Sequence, residues 1–567
     1  MPSSSFVTSE SPKMSFVRAQ TPDPQRLPNL SRIVIASPGS AGMDARPSAR
    51  HLDLRRSPRI SNFRLDGTEL QKHPGLTIIG AALPDEPLRL LEWTDAFGNR
   101  RVVALTQDRP YFFDGTNWVD ISAGAPADIF TGDNTNLFDW AGIASDTAPA
   151  GLDAQRNLFV VANGIDAPRA WDGDTATFFT TVTNAPICRY VAPFADRMFA
   201  AYVTIGGTTR GDRLMWCVNG NIIDWSGTGS GSADRPISGG VISGIKPLRG
   251  ALALYLTNGI ETILRRSESA TVPIEIQPYP GPGLGLVCPY TLAALPSNEH
   301  IFLGSDFNVY RYDLTYPRAI GNEIQQEIKA AINQNRLGNA FAFTVDARAE
   351  YYLYIPVTTD TTFPSRAYVY NWIYETWTRI DIPATCGASL TDTAGATTID
   401  GLIGTIDGLD AVSATIDGLN SSGTSVPPKL YLGFSDKSIN RLAEGTFTYT
   451  LSADPKNITA FIDIPPTDFE EAGRMKTLQR VIIRYKDTGF AATVEVQVST
   501  DNGVTFSAVR ERTTAATGSG ATRELFFDVR MTAESFLVRV RQATPTNRGF
   551  TLVEAEMQAQ ILGETFV

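Results

Sequence analysis

The chain has 567 residues and a mass of 61.5 kDa, with 43% hydrophobic, 10% aromatic and 19% charged residues. This is too apolar and too sparsely charged for a disordered protein, and no apolar run approaches the ~18–20 residues that span a bilayer, which argues against a helical membrane protein. A formal net charge of −11 opposes wrapping of the surface by nucleic acid, and 47 glycines with 35 prolines point to many short strands joined by tight turns.

The first 35 or so residues, through the PSSS, TPDPQ and LPNL stretches, are rich in Ser and Pro and lack periodicity, so they read as an extended arm. Glu10, Asp23 and the prolines fit a transit peptide badly, and the stretch has no apolar core of a secretory signal. From Asp44 to Arg64 the chain is locally basic, with Arg46, Arg50, Arg55, Arg56, Arg59 and Arg64. A solvated linker is one reading of this tract; contact with an acidic neighbouring subunit or a nucleic acid is the other, with Arg55, Arg56, Arg59 and Arg64 as candidate assembly residues.

Between residues 85 and 450 the sequence repeats a rhythm of short apolar segments and turns, at roughly 40–60 residues per cycle. In RRVVALTQDRPYFFDGTNWVDIS the strands predicted are Val102–Leu105, Tyr111–Phe113 and Trp118–Ile121, with a turn at Asp114-Gly115. Leu158–Val161, Arg169–Trp171 and Thr177–Thr181 follow the same pattern around Asp172-Gly173. Further cycles are Arg197–Val203, Leu214–Cys217 and Ile222–Trp225, then Ala251–Leu256 with Glu261–Leu264 around Asn258-Gly259. His300–Leu303 and Asn308–Asp313 come next, then Tyr351–Ile355, Arg366–Trp372 and Trp377–Ile380, then Leu430–Phe434 with Ser438–Leu442. Divergent repeats of this kind predict an all-β fold with a β-propeller of about six or seven blades; separate β-sandwiches are the alternative.

One segment breaks the rhythm. Gly321–Leu337 places Ile324, Ile328, Ala331 and Ile332 on one face of an amphipathic helix, with Gly338 at the expected C-cap. That face packs on its own propeller or docks on a neighbouring subunit, which makes Ile324, Ile328 and Ile332 further candidate assembly contacts. The TIDGL repeats at Thr398–Leu402, Thr405–Leu409 and Thr415–Leu419 carry Asp400, Asp407 and Asp417 too sparsely for a calcium loop.

After residue 451 the strands lengthen: Leu478–Tyr485, Thr493–Val498, Glu524–Val529, Phe536–Arg541 and Val553–Ile561 predict a C-terminal β-sandwich-like domain, 451–567, following the arm and first strands, 1–84. Within it, STDNGVTFS (Ser499–Ser507) resembles the Asp-box hairpin of sialidases. There Asp501 would accept N–H bonds across the turn, Gly503 would supply positive φ and Phe506 would pack beneath.

Markers of chemistry are scarce. Four cysteines (Cys188, Cys217, Cys288, Cys386) form no CxxC pair and read as buried thiols, and three histidines (His51, His73, His300) offer little for a metal or an acid–base site. The chain contains no Walker A, GxGxxG, GxSxG or HExxH motif, and nothing in it asks for a cofactor. A glycosidase would need two carboxylates ~5–10 Å apart; no pair is singled out, and Glu470-Glu471 reads as a solvated loop.

Several stretches carry a family resemblance: SPRISNFRLDGTELQKHPGLTIIG (57–80), with Asn62, Gly67 and a Pro74-Gly75 step; DRMFAAYV…DRLMWCVNGNIIDWS (196–226); and EIQQEIKAAINQNRL…VDARAEYYLYIPV…AYVYNWIYETWTRIDIP (323–383). The TIDGL series before LYLGFSDKSINRL completes the set. Together they resemble the propeller proteins of bacteriophage tails, the tail nozzle or DNA-stabilisation proteins of short-tailed phages. The basic residue usual before the Pro-Gly step is here Lys72-His73.

The resemblance implies a structural, non-enzymatic virion protein, made in the host bacterial cytoplasm and assembled as a homohexameric ring in the head–tail connector. Its expected partners are further copies of itself, the adaptor and portal proteins, tail fibres, and double-stranded DNA passing through the channel during genome ejection. An acidic lumen would lower DNA affinity, and a constriction or basic ring would hold the genome's end. The alternative is a carbohydrate-binding or capsule-degrading tail propeller acting on host-surface glycans.

Overall fold

The computed structural model describes residues 30–46, 52–67, 69–122, 128–266, 272–278, 283–391, 427–487, 489, 491–515, 517–542 and 549–562. The TIDGL series, Arg50, His51 and the arm up to residue 29 lie outside the described residues. The rest is dominated by small antiparallel sheets in chain order. The strands Leu158–Ala162, Ala251–Leu256 and Glu350–Ile355 are buried along their whole length, which is why their sequences are apolar without alternation.

Seven four-stranded antiparallel meanders occur among the described residues, with first strands Pro87–Thr94, Asp139–Ile143, Ile187–Phe194, Ile242–Leu248, Ala293–Leu295, Phe341–Val345 and Cys386–Leu390. These first strands are neighbours. Asp139–Ile143 packs on Ile187–Phe194, and that on Ile242–Leu248; Ala293–Leu295 packs on Phe341–Val345, and that on Cys386–Leu390. Aromatic rings join the remaining pairs, with Trp93 5.8 Å from Phe159 and Tyr255 5.1 Å from Phe302 between centroids. Cys386–Leu390 packs in turn on Pro87–Thr94, so the order closes on itself. This is a β-propeller.

Closure comes from the N-terminal side of the chain. Gly75–Ile78 is the outer strand of the seventh meander, antiparallel to Ile439–Ala443 with Gly75 opposite Ala443. The fit is tight: a Cβ on Gly75 would sit 2.2 Å from the Thr448 carbonyl oxygen, so only glycine lets the two backbones pass. The boundary expected at residue 84 therefore falls after a strand that belongs with the propeller.

The remaining N-terminal strands join the C-terminal region. Leu30–Ala36, expected as part of the extended arm, is instead a strand paired along Thr551–Ile561. Phe63–Asp66, Glu69–Lys72, Thr551–Ile561, Lys476–Lys486 and Thr522–Ala533 complete that six-stranded sheet. A second sheet contains Ala460–Thr467, Phe536–Gln542, Thr493–Ser499 and Arg510–Thr513. The two share one core, with Val481, Ile483, Phe527 and Met557 from the first and Ile462, Val494, Val496 and Val538 from the second. Ile60–Ser61 runs between Thr376–Ile380 of the sixth meander and Ala460–Thr467, fusing propeller and C-terminal sheet into nine continuous strands.

Two predicted elements differ. The segment 321–337 forms a seven-residue α-helix, Gln325–Ala331, and a separate 3-10 stretch, Gln334–Asn339. The helix stops at Ile332, well before Gly338, because Ile332 turns extended and bridges Val357, and the Asn333 side chain then caps the next turn. Ile222–Trp225 is a buried turn and not a strand. Its apolar side chains fill the core while Trp225 Nε1 donates to the Ile222 carbonyl at 2.8 Å and Asp224 accepts from Ser226 and Gly227 N–H.

Two of the histidines lie deep in this framework. His300 Nε2 faces the Pro247 carbonyl at 3.1 Å, which can only accept, so Nε2 carries the proton and Nδ1 accepts from Tyr255 Oη at 2.8 Å. His73 packs with Nδ1 2.7 Å from the Pro74 carbonyl. Burial lowers both pKa values to about 3 from 6.5, with nearby cations, Lys246 for His300 and Arg64 for His73, adding to it. As pH falls through 6.5 the unfolded chain takes up these protons while the folded chain does not, so stability is lost progressively from pH 6.5 down to about 3. Denaturant titrations should show about 2 kcal/mol lost per histidine between pH 7 and 5. His300→Gln should remove roughly half of that pH dependence.

Candidate functional site

Four of the propeller's first strands carry charge in a largely apolar sequence: Arg89 with Glu92 in Pro87–Thr94, Asp139 in Asp139–Ile143, Arg189 in Ile187–Phe194 and Lys246 in Ile242–Leu248. Arg89, Asp139 and Lys246 line one cavity of about 20 Å³ together with Tyr190 and Tyr290. The Val191 N–H donates to Asp139 at 3.0 Å, and Tyr290 Oη donates to the Leu137 carbonyl at 2.6 Å. Arg189 lies 5.9 Å from the ring centroids of Tyr190, Tyr202 and Tyr290, held by three aromatic faces. Burial raises the Asp139 carboxyl above its ordinary range, against the pull of Lys246 and Arg89, and lowers Arg89 and Lys246.

A second concavity, of about 400 Å³, lies where the propeller meets the C-terminal sheet. Tyr449 and Phe461 give it apolar surface; Asn62, Asn457, Gln497, Asp381, Arg539 and Arg541 give it polar groups. Asp381 is fully engaged: it accepts from Ser61 Oγ at 2.5 Å, Arg366 at 3.3 Å and Arg379 at 3.0 Å, and its N–H donates to Asn62 Oδ1 at 2.8 Å. Arg539 donates twice to the buried Asp463, at 2.6 and 2.8 Å, and lies 4.8 Å from the Phe461 ring and 3.9 Å from Phe506. The result is a rigid wall of guanidinium and aromatic planes beside the exposed amide of Asn457 and the half-buried one of Gln497.

Phe506 reaches this wall from the Asp-box-like turn. Asp501 accepts from Thr505 N at 2.8 Å, Val504 N at 3.1 Å, Thr505 Oγ1 at 2.5 Å and Ser499 Oγ at 2.7 Å, which lowers its carboxyl pKa to about 2. Gly503 has φ +90°, the left-handed conformation the turn requires.

The predicted assembly residues are placed as follows. Arg55 is exposed and pairs with Asp53 at 3.2 Å; Arg56 lies 3.3 Å from the buried Asp44 and 3.6 Å from Glu323. Arg64 pairs with Glu444 at 3.4 Å, and Arg59 is exposed. Burial works to raise the Asp44 pKa, but hydrogen bonds from Arg46 and the charge of Arg56 outweigh it, and the carboxyl stays below its ordinary value. Arg46, Arg55, Arg56 and Arg64 are thus engaged by acidic groups of their own chain. Ile324, Ile328 and Ile332 are buried in the core shared by the fifth and sixth meanders and the C-terminal sheets. They offer no surface to a neighbour; the apolar face of the helix is satisfied internally.

Sequence reasoning missed the axial charges and the wall around Arg539. A single charged residue inside an apolar strand, as in ICRYVAP, was the available signal. The four cysteines are buried free thiols, and burial raises their pKa values, Cys217 to about 11. Among the described residues no group of three or more His, Cys, Asp or Glu could hold a metal ion, and no helix is long and apolar enough to cross a membrane.

No family model matches the chain, and no curated protein matches it. Among solved structures, it is similar to a glycoside hydrolase family 43 arabinoxylan arabinofuranohydrolase from Bacillus subtilis, at 10% identity and a TM-score of 0.24, over 93% of this chain and 99% of that one. It is also similar to the extracellular domain of a hybrid two-component system from B. thetaiotaomicron, at 11% identity and a TM-score of 0.24, over 66% of this chain and 49% of that one. The K2 adhesin domain of Lys-gingipain matches 24% of this chain and 73% of its own, at 14% identity and a TM-score of 0.14. No activity or ligand follows for this chain from likenesses at this level.

Because Asp463 is buried and bonded twice by one guanidinium, Arg539→Met should cost about 3 kcal/mol in urea denaturation. Adding Asp463→Leu should recover much of that loss, since the stranded charge is then removed.

Proposed function

We propose that this chain is a structural subunit of a bacteriophage tail, a seven-bladed propeller that assembles as a nozzle ring around the DNA exit path. The cyclic order of seven meanders supports the blade count. The observation that carries the assembly reading is an exposed apolar patch on two adjoining turns. Tyr316 is 60% exposed, Ile373 69% and Tyr374 49%. An ion pair of 2.6 Å between Arg318 and Glu375 holds the turns together, and Asn371 Oδ1 accepts from both Ile373 and Tyr374 N–H at 3.0 Å, fixing the tip. Large rings presented outward on a stiff turn fit burial against another copy of the chain. This patch replaces the helix as the candidate ring contact.

The reading predicts rings, with the hexamer expected, in mass measurement or negative-stain microscopy under assembly conditions. Ile373→Asp with Tyr374→Asp should weaken ring formation at least tenfold while leaving the unfolding transition in place. A strictly monomeric wild-type protein that binds neither portal nor adaptor would sink the proposal.

The cleft beside Arg539 favours a second reading, a glycan-binding tail propeller. Tyr449 and Phe461 could stack on sugar faces, and Asn457 and Gln497 could bond hydroxyls. Incubation with host-surface polysaccharide discriminates: saturable binding lost in Tyr449→Ala supports it, and released reducing ends would mark an enzyme.

A further inference from the structure

We propose that copies of this chain join edge to edge, Leu30–Ala36 of one copy pairing antiparallel with the open end of Thr522–Ala533 of the next, which rests on the ring reading above and gives the ring a second contact. Leu30–Ala36 bonds Thr551–Ile561 on one side, and among the described residues no strand bonds its other side. Its seven residues, LSRIVIA, pair without a bulge and contain no proline and one charge, Arg32, which is paired with Glu556. Flat apolar edges of this length are what proteins ordinarily guard, because their unpaired backbone groups recruit another strand.

The opposite edge of the same sheet, Thr522–Ala533, is complementary. A bulge with Arg530 at φ +57°, and Arg510 donating to the Asp528 and Val529 carbonyls at 2.7 Å, guard its far end. Residues 522–526 have no such cover. Backbone direction alternates along a strand, so the outward groups can be assigned. Ser37 N–H bonds the Val553 carbonyl, which turns the N–H and C=O of Arg32, Val34 and Ala36 away from Thr551–Ile561. Asp487 N–H bonds the Ala521 carbonyl, which likewise turns those of Glu524 and Phe526 away from Lys476–Lys486. The registers run straight across the sheet: Val34, Glu556, Ile482 and Phe526 form one row, and Arg32, Gln558, Arg480 and Asp528 the next. Continued between copies, that register sets Val34, 42% exposed, against Phe526, 45% exposed, and Arg32 against the exposed Asp528. Every pairing across these four strands is antiparallel, so the junction keeps the alternation. The two edges differ, which makes the contact head-to-tail, as a closed ring requires.

The test oxidises the full chain with one cysteine placed at either edge, the four native thiols being buried. Within one copy Val34 and Phe526 stand three strand spacings apart, about 14 Å, too far for a disulfide. Val34→Cys and Phe526→Cys proteins mixed under assembly conditions should therefore give a disulfide-linked dimer, and the double variant a ladder of linked copies. Val34→Lys should weaken association at least tenfold with the unfolding midpoint unchanged. Rings that form without the mixed cross-link, an equal cross-link in Val34→Cys alone, or association indifferent to Val34→Lys would each overturn the edge contact while leaving the ring to the Tyr316 patch. A wild-type protein that stays monomeric would remove the ring reading as well.

Discussion

Everything in this molecule depends on a short N-terminal stretch that cannot fold by itself. Residues 60–78 supply Ile60–Ser61, which bonds the sixth meander to the C-terminal sheet, Phe63–Lys72, which adds a hairpin to the other C-terminal sheet, and Gly75–Ile78, which closes the propeller. A propeller left open between its first and last blades would expose strand edges and apolar faces that no local contact could cover. The stretch gains its stability only from partners far along the chain, and those partners are complete only when it is present. Gly75, squeezed against Thr448, and the buried His73 beside it are the steric and electrostatic marks of that dependence.

The charges tell a consistent story about rigidity. Most arginines of the described surface meet an aspartate or glutamate of the same chain, often across elements: Arg56 with Asp44 and Glu323, Arg379 with Glu327 and Asp381, Arg484 with Glu524, Glu554 and Glu556. Exposed pairs of this kind add little each, but they fix loops and edges in register. The exceptions are the informative positions. Arg89 and Lys246 line one small cavity with Asp139, and Tyr316, Ile373 and Tyr374 face solvent where polar residues would be cheaper.

Local features were legible in the sequence. The Asp501 turn could be read because Ser499, Asp501, Gly503 and Thr505 are contiguous, and the long C-terminal strands because alternation such as Val494, Val496, Val498 survives in a two-sheet core. Periodicity also identified the buried face of Ile324, Ile328 and Ile332, but it specifies a face and not the surface that covers it. What was illegible is what convergence from distant blades creates. Arg89, Asp139 and Lys246 are separated by whole meanders, and the acids that hold the basic tract come from Glu323 and Glu444 as well as from its own neighbours. Ala460–Thr467 escaped notice because its two prolines disguise a strand that pairs on both sides.

Closure by Gly75–Ile78 also sets the order in which the protein can be made. Gly75 must wait for Ala443, and Leu30–Ala36 for Thr551–Ile561, so during synthesis the early segments leave the ribosome hundreds of residues before their partners. Until then the blades between them can collapse in sequence, each on the last, while both ends stay unsealed. Sealing thus waits on partners far along the chain, and the interval before it is when the growing chain has most need of chaperone cover.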